Sequence, residues 1–371
     1  MLNEKMTSDK KLKIHKSLTY DILDGMVDWV RVIDRNGVII YANKTMEEAV
    51  GKSLVGSKCY RSLNKECPCK RCITEAAIAT GVTSEKEEKI GDKIYSVKSS
   101  PVTDANGNIY AAVEVFRDVT RERKLEKEVM RKNKKMSKDL GFSRRLQKRI
   151  LPEKGNYGSA YIDYIYRPSE VLSGDMFDVF HIDENNLGIY ISDVVGHGVS
   201  ASMMTMFVRQ TMRAIKNYYK SPSQAISELH KNFIDLNLDD DKYFTIFYGV
   251  INKKDKTFTY VNGGHNSIPL LIRNNDTKLL KTEGFPISYL FDEIKYNENT
   301  IDIKVGDKLL LYTDGILEAK NKQGEQFGLE RLLDIVSTDK NCIKSIEEKI
   351  DNFNCYTQED DFAILKAKIV D

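Results

Sequence analysis

Short apolar runs separated by turn residues occupy the first third of the chain. In VRVIDRNGVIIYAN, Asn36 and Gly37 lie between two apolar runs, as they would in the turn of a β-hairpin. A second pair of runs flanks the Asn-Gly of VTDANGNIYAAVEVF. Residues 45–50 and 72–79, between these pairs, have the pattern of short helices. The order of two strands, helices and three strands predicts a small mixed α/β domain.

A strongly basic segment without proline follows. Residues 121–151 contain 13 Lys and Arg against 4 Asp and Glu. Apolar Leu125, Val129 and Met136 lie at helical spacings, which predicts a helix of coiled-coil length. Lys132 occupies the next expected apolar position, so a homodimer through this helix and a solvated helical linker both remain open.

The C-terminal end of this basic segment does not continue the apolar spacing. Gly141 interrupts the pattern, and SRRLQKRILP after it is amphipathic. We expect Leu146 to dock on the following domain and Lys148 to lie on the opposite face. A helix placed here is the natural position for a switch between two domains.

The remainder of the chain alternates β-rich segments with two long helical stretches, 199–220 and 222–236. This order is typical of an α+β domain in which stacked sheets are covered by helices. The predicted organisation is therefore a sensor-sized α/β domain at 17–120, a helical linker at 121–152 and an α+β domain at 153–371.

The amino-acid composition indicates a globular protein. The 371 residues are 41% hydrophobic and 30% charged, with a formal net charge of +2, which is typical of globular proteins. No apolar run approaches the roughly 18 residues that a membrane helix needs, and the first residues are charged and polar without the apolar stretch that is typical of a secretion signal. We expect a cytoplasmic protein with no membrane segment, and the charge gives no reason to expect nucleic acid as a partner.

Four of the six cysteines are crowded into KCYRSLNKECPCKRC, namely Cys59, Cys67, Cys69 and Cys72. Four thiols in so short a stretch can hold zinc or an iron–sulfur cluster, and the C-x2-C spacing of Cys69 and Cys72 is that of a metal knuckle. We therefore expect a cofactor site here. A thiol redox switch and unreactive packing thiols remain open as alternatives.

Acidic residues recur at predicted strand ends or tight turns. They lie in SGDMFD, ISDVVGHG, YTDG and EDDF, as Asp175, Asp193, Asp314, Asp360 and Asp361. Each alone is common in turns. Mg²⁺ and Mn²⁺ prefer carboxylates and carbonyls, and a pair of ions about 4 Å apart needs carboxylates from several strands. Together these segments predict a two-metal site.

The ordered series SGDMFD, ISDVVGHGVSASMM, FTIFYGVI, VNGGHNSIPLL, LLLYTDGILEAKN, FGLERL and EDDFAIL resembles the SpoIIE-type, RsbU-like branch of the PPM metal-dependent serine/threonine phosphatases. The resemblance spans nearly all of 145–371 and implies an αββα sandwich. It implies two Mn²⁺ or Mg²⁺ ions held by four aspartates and one main-chain carbonyl: Asp175, Asp193, Asp314, Asp360 and Val194. Asp361 and Asp178 are adjacent candidates. His197 and His265 are expected to stabilise loops.

This resemblance also implies a reaction. A water activated by two metals would attack the phosphorus of phosphoserine or phosphothreonine in a protein, without a covalent intermediate. The family suggests a STAS-type anti-anti-sigma protein as substrate, in partner switching that regulates a sigma factor. The alternative is a non-catalytic PPM-fold regulator that binds a signalling partner, although such a protein has no physical reason to keep mutually repelling carboxylates.

The first domain resembles another family. IDRNGVIIYANKTMEE and VFRDVTRERKLE are similar to the opening and closing segments of PAS domains. The resemblance covers roughly a hundred residues and implies a sensor that controls the second domain. It identifies the module and leaves its signal open.

Overall fold

The structure, a computed structural model, describes residues 18–218, 221–238, 241–274, 276–291, 294–338, 342–355 and 358–371. The chain divides into two units, Met1–Lys135 and Met136–Asp371. Each unit is built around hydrophobic residues of its own.

The first unit is an antiparallel sheet with short helices. Its strands are β1 (Trp29–Asp34), β2 (Ile39–Ala42), β3 (Ser84–Ile90), β4 (Lys93–Thr103) and β5 (Ile109–Asp118), in the order β2-β1-β5-β4-β3. Between β2 and β3 the chain forms α1 (Lys44–Val50), a 3-10 helix (Cys59–Leu63) and α2 (Ile73–Thr80). The predicted order of two strands, helices and three strands is confirmed.

An aspartate organises the turn between β1 and β2. Asp34 Oδ1 accepts hydrogen bonds from the backbone N–H groups of Asn36 at 2.9 Å and Val38 at 2.7 Å. Gly37 has φ of 73°, in the left-handed region that glycine adopts without strain. The turn at Asp104 repeats this pattern. Local chemistry thus sets both predicted hairpins.

The basic segment forms one helix, α3 (Thr120–Arg149), 30 residues long. The predicted interruption at Gly141 is wrong. Glycine costs a helix interior about 1 kcal/mol relative to alanine, but the surrounding Lys, Arg, Leu and Met favour helix, and no proline ends it. The limits of a separate linker module at 121–152 remain a prediction.

Two antiparallel sheets form the second unit. One contains β6 (Gly155–Asn156), β7 (Ala160–Arg167), β12 (Leu270–Arg273), β13 (Asp276–Leu279), β16 (Lys308–Tyr312) and β17 (Phe362–Ile369), in the order β13-β12-β16-β17-β7-β6. The other contains β8 (Asp175–His181), β9 (Asn186–Val194), β10 (Tyr243–Asn252), β11 (Thr257–Gly263) and β15 (Glu298–Asp302), in the order β15-β11-β10-β9-β8, with β14 (Ile287–Ser288) beside β10.

Helices cover the outer face of each sheet. They are α4 (Gly198–Ile215), α5 (Pro222–Ile234), α6 (Asp314–Leu317), α7 (Gly328–Thr338) and α8 (Cys342–Phe353). A central core joins the two sheets through residues such as Phe177, Ile189, Leu309 and Leu365. A second core packs α4 and α5 on the β8–β10 sheet, and a third packs α7 and α8 on the β16–β17 sheet. These layers confirm the predicted αββα sandwich.

Within the ranges described above, no helix combines the length and apolar character needed to cross a lipid bilayer.

Candidate metal centre

Two of the predicted ligands meet on neighbouring strands. Asp175 is the first residue of β8, and it pairs in register with Asp193 near the end of β9. Asp175 is buried and Asp193 is half-buried. Because antiparallel strands place the start of one beside the end of the next, the pairing brings both aspartates to one edge of the sheet.

Asp314 comes from the other sheet. It begins α6 directly after β16, and the preceding Thr313 donates its hydroxyl to Asp175 Oδ2 at 2.7 Å. The same Thr313 oxygen accepts from the Ala363 N–H at 3.0 Å. Sequence reasoning missed Thr313, although it lies next to the YTDG aspartate. Its hydroxyl connects the two sheets at the acidic edge.

Close backbone packing at this edge requires glycine. A Cβ at Gly174 would lie 3.0 Å from the carbonyl oxygen of Val194, and one at Gly315 would lie 1.9 Å from that of Asp361. The second distance is shorter than any real contact, so only glycine fits there. The carbonyl of Val194 therefore lies against the loop that carries Asp175.

Asp360 and Asp361 differ in their surroundings. Asp360 is exposed, and its Oδ1 accepts the N–H of Asp361 at 2.7 Å. Asp361 is buried, and its Oδ1 accepts from the N–H and hydroxyl of Ser169 at 2.7 and 2.9 Å. Its Oδ2 accepts from the N–H of Gly174 at 2.6 Å. Asp361 thus holds the loop that precedes Asp175.

The alternative candidate Asp178 lies elsewhere. Its fully buried carboxylate receives two hydrogen bonds from Arg213, at 2.6 and 2.9 Å, and the Nε of Arg209 lies 3.5 Å away. The two arginines on α4 neutralise its charge. Asp178 is therefore a buried ion-pair residue, and we do not assign it a metal role.

Uncompensated negative charge marks the acidic edge. Burial, followed by the charge of Asp193, raises the pKa of Asp175 well above its usual range. Burial together with Asp314 and Asp360 raises the pKa of Asp193 to about 8. Burial and Asp360 also raise the pKa of Asp314. No lysine or arginine in the described chain forms an ion pair with Asp175, Asp193 or Asp314, so a bound cation would relieve this repulsion.

The chemistry of these groups suits a hard divalent cation, since carboxylates and a carbonyl are the ligands that such ions prefer. As they stand, no three His, Cys, Asp or Glu side chains among the described residues are close enough to hold one ion. Coordination of an ion there would therefore require these side chains to turn from the positions that the structure gives them.

The two histidines of the family-like turns have structural contacts. His265 is buried, its Nε2 lies 2.9 Å from the carbonyl of Tyr312 and its Nδ1 lies 3.2 Å from the hydroxyl of Thr245. Burial lowers the pKa of His265 to about 4, so it is neutral and joins β10 to β16. His197 is exposed and lies 3.1 Å from Glu170.

Gln147 of α3 is a site residue that sequence reasoning missed. It is 1% exposed, and its amide bonds both main-chain groups of Ser173: Nε2 donates to the carbonyl at 2.8 Å, and Oε1 accepts from the N–H at 3.1 Å. Ser173 lies two residues before Asp175. Leu146, expected on the docking face, is 46% exposed, so that prediction was displaced by one position.

A cavity of about 300 Å³ lies beside the acidic edge. Asp360 and Gly315 form part of its wall, with Arg167, Glu318 and Lys320. Arg167 is paired with Asp351 at 2.8 Å. The cavity therefore has a polar wall next to the candidate metal ligands.

The cysteine cluster does not have the geometry of a metal site. Cys67 is exposed, and Cys59, Cys69 and Cys72 are half-buried. The sulfur of Cys69 lies 3.7 and 3.6 Å from the Lys65 and Lys86 ammonium groups, which would repel a cation. The described residues contain no group able to hold zinc or an iron–sulfur cluster, so that expectation is not supported.

Comparisons with known proteins agree with both halves of the fold. Residues 183–370 match the family model "Stage II sporulation protein E (SpoIIE)", and residues 23–124 match the PAS fold. The phosphoserine phosphatase RsbP of Bacillus subtilis is 30% identical over 184 residues, 49% of this chain and 45% of that protein. The phosphoserine phosphatase RsbU of the same organism is 24% identical over 203 residues, 53% of this chain and 60% of that protein. The chain spans about half the length of these curated relatives.

Solved structures show the same fold at low identity. The SiaA-PP2C domain of Pseudomonas aeruginosa has a TM-score of 0.56 at 19% identity, covering 64% of this chain and 98% of that one. The PP2C phosphatase domain of Bacillus subtilis SpoIIE with a fragment of its regulatory domain has a TM-score of 0.51 at 13% identity, covering 99% of this chain and 91% of that one.

Proposed function

The chain belongs to the SpoIIE family, and from this premise we propose that its second unit is a metal-dependent protein phosphatase that hydrolyses phosphoserine or phosphothreonine. The observation that carries the proposal is the acidic edge. There burial and neighbouring carboxylates raise the pKa values of Asp175, Asp193 and Asp314 without a protein cation to neutralise them. Such an arrangement is costly in a protein unless it binds cations.

We assign the metal-binding role to four aspartates and one carbonyl: Asp175, Asp193, Asp314, Asp360 and Val194. Two Mn²⁺ or Mg²⁺ ions bound there would supply a nucleophilic water and stabilise charge on the phosphoryl oxygens. Thr313 orients Asp175 through its hydroxyl. Asp361, whose oxygens are bonded to Ser169 and Gly174, positions the Asp175 loop, and we do not assign it as a ligand.

The proposed substrate is a phosphorylated protein, specifically a STAS-type anti-anti-sigma factor in a partner-switching system. Similarity to RsbP and RsbU, both named phosphoserine phosphatases, supports this class of substrate. Exposure of Asp360 leaves the acidic edge open on one side to a phosphorylated loop. The cavity beside Asp360 would receive residues that flank the phosphoserine.

We also propose that α3 pairs with a second copy of the chain. Leu125, Val129 and Met136 are each more than half exposed on this helix. Sedimentation equilibrium of the full chain should give twice the monomer mass, and Val129→Lys should reduce it to the monomer. Lys127→Ala changes an exposed position on another face of α3 and should leave the measured mass unchanged. A monomeric wild-type protein would contradict the pairing.

The phosphatase proposal is tested by hydrolysis of an aryl phosphate by the full chain. We expect turnover with Mn²⁺, none with chelator, and a loss of at least about 100-fold in Asp314→Asn, because a charged ligand becomes neutral. Asp255→Asn, in the exposed turn between β10 and β11, is the matched control and should retain activity. Absence of metal-dependent turnover in the wild type would favour the non-catalytic regulator instead.

A further inference from the structure

Three of the crowded cysteines share one cavity in the first unit. A space of about 440 Å³ is lined by Cys59, Cys69 and Cys72, together with the β1–β2 turn and the first residues of α2. The thiols are half-buried there. A small molecule can therefore reach sulfur atoms that the surrounding protein holds in place.

Fixed positive charge surrounds one of these sulfur atoms. The ammonium groups of Lys65 and Lys86 lie 3.7 and 3.6 Å from the sulfur of Cys69. Glu88 bonds both lysines, at 2.6 and 2.8 Å, and so holds them beside the thiol. Ammonium groups at this distance stabilise negative charge on sulfur, which is the reactive form of cysteine.

The other two thiols differ from Cys69. Cys72 is the N-cap of α2, and its sulfur accepts a hydrogen bond from the N–H of Glu75 at 3.5 Å. Burial raises the pKa of the Cys59 thiol, which keeps it protonated. Cys69 is thus the nucleophile of the group, and Cys72, three residues later, lines the same cavity, whereas the exposed Cys67 does not.

We propose that Cys69 and Cys72 form an oxidisable pair that a hydroperoxide converts to a disulfide. The Cys69 sulfur attacks the terminal oxygen of the peroxide, breaking the O–O bond and giving a sulfenic acid and an alcohol or water. The Cys72 sulfur then displaces hydroxide from the sulfenic acid, and the thiol proton leaves with it as water. Two thiols and one hydroperoxide yield one disulfide, one alcohol or water, and one water.

Oxidation at this position would reach the interior of the first unit. The disulfide takes the Cys72 sulfur away from its cap on α2, and Thr74 in the first turn of that helix is bonded to buried Glu114. Glu114 pairs with Arg31 at 2.7 Å, and Arg31 donates to the carbonyl of Cys59 at 2.7 Å. A movement at the start of α2 would therefore be transmitted through these contacts to β1 and β5. The pair goes beyond the proposed phosphatase function, and its test needs no phosphatase activity.

The test is oxidation of the full chain by one to five equivalents of hydrogen peroxide, followed by thiol labelling and peptide mass spectrometry. We expect a Cys69–Cys72 disulfide, and a sulfenic acid at Cys69 in Cys72→Ser. The double variant Lys65→Met/Lys86→Met should oxidise on the order of tenfold more slowly. Lys89→Met, on the other face of β3, is the matched control and should react at the wild-type rate.

Melting curves of each variant establish that the first unit is folded before its rate is compared. Cys72→Ser keeps both lysines, so it tests Cys69 even if the lysine variant is unstable. Oxidation confined to exposed Cys67, or a disulfide from Cys69 to Cys59, would overturn the proposal. So would equal rates for the double lysine variant and the wild type.

Discussion

Asp178 carries the same carboxylate as the proposed ligands, but Arg213 and Arg209 already neutralise it. We predict that Asp178→Asn lowers the free energy of unfolding by about 3 kcal/mol, because it leaves arginine charge unpaired beside a buried site. The Mn²⁺ requirement should not change. Urea unfolding of the metal-free protein measures the loss, with Asp255→Asn as control. A variant of normal stability that no longer binds Mn²⁺ would restore Asp178 as a ligand.

His265 makes the stability of the second unit depend on pH. Its pKa is lowered to about 4 in the folded protein, against about 6.5 when unfolded, so the unfolded chain binds the proton first. The contribution of neutral His265 to the free energy of unfolding is therefore fully present above pH 6.5 and is lost as the pH falls toward 4. His265→Gln keeps a donor for the Tyr312 carbonyl without titrating.

We predict that the difference in unfolding free energy between wild type and His265→Gln changes by a few kcal/mol between pH 7 and 4.5. Denaturant unfolding across this range measures it, and taking the difference removes the contribution of the carboxylates. A constant difference would mean that His265 does not remain neutral at low pH.

At the residue scale, the sequence could indicate the acidic segments because each aspartate lies beside a glycine or at a strand end. It could not show that Asp361 bonds Ser169 and Gly174, or identify Thr313 and Gln147. Their roles depend on partners far away in the chain, such as Gly174 for Asp361 and Ser173 for Gln147. No local pattern specifies such contacts.

At the element scale, the end of α3 bears directly on the loop of Asp175. Gln147 bonds both main-chain groups of Ser173, and Ile150 and Leu151 pack on the cores of the second unit. We predict that Gln147→Leu raises the Mn²⁺ concentration for half-maximal turnover by about tenfold to thirtyfold, because two buried hydrogen bonds worth about 1 kcal/mol each are lost.

Two neighbouring variants are the controls for Gln147→Leu. Lys148→Leu and Leu146→Asp change exposed positions of the same helix and should leave the Mn²⁺ dependence near that of the wild type. The measurement is turnover against Mn²⁺ concentration, with circular dichroism to confirm helix content. If Leu146→Asp has the large effect and Gln147→Leu has none, the docking face was predicted correctly from the sequence and the amide contact is incidental.

The hairpins were predictable because Asn-Gly turns act locally, whereas α3 was only partly predictable. Gly141 indicated an end of the helix, but the helical propensity of its neighbours exceeded the cost of one glycine. The sheet orders were not predictable at all. Pairs such as β7 with β17, at opposite ends of the second unit's sequence, require tertiary contacts that periodicity does not contain.

At the scale of the whole molecule, α3 is the covalent path from the PAS fold to the phosphatase-like unit. A continuous helix can transmit a change at one end only while it stays intact. We predict that Lys134→Pro, at an exposed position, alters Mn²⁺-dependent turnover several-fold, because proline costs a helix interior about 3 kcal/mol. Lys134→Ala is the control. If Lys134→Pro and Lys134→Ala both show wild-type turnover, α3 serves only as a covalent connection between the two units.

The central claim is that aspartates from four segments of the second unit bind two divalent ions. Calorimetric titration of the full chain with Mn²⁺ tests it without any assumption about the substrate. We predict two ions per wild-type chain and loss of at least one of them in Asp314→Asn, with Asp255→Asn unchanged. Binding of no Mn²⁺ by the wild type, or equal binding by wild type and Asp314→Asn, would contradict the account.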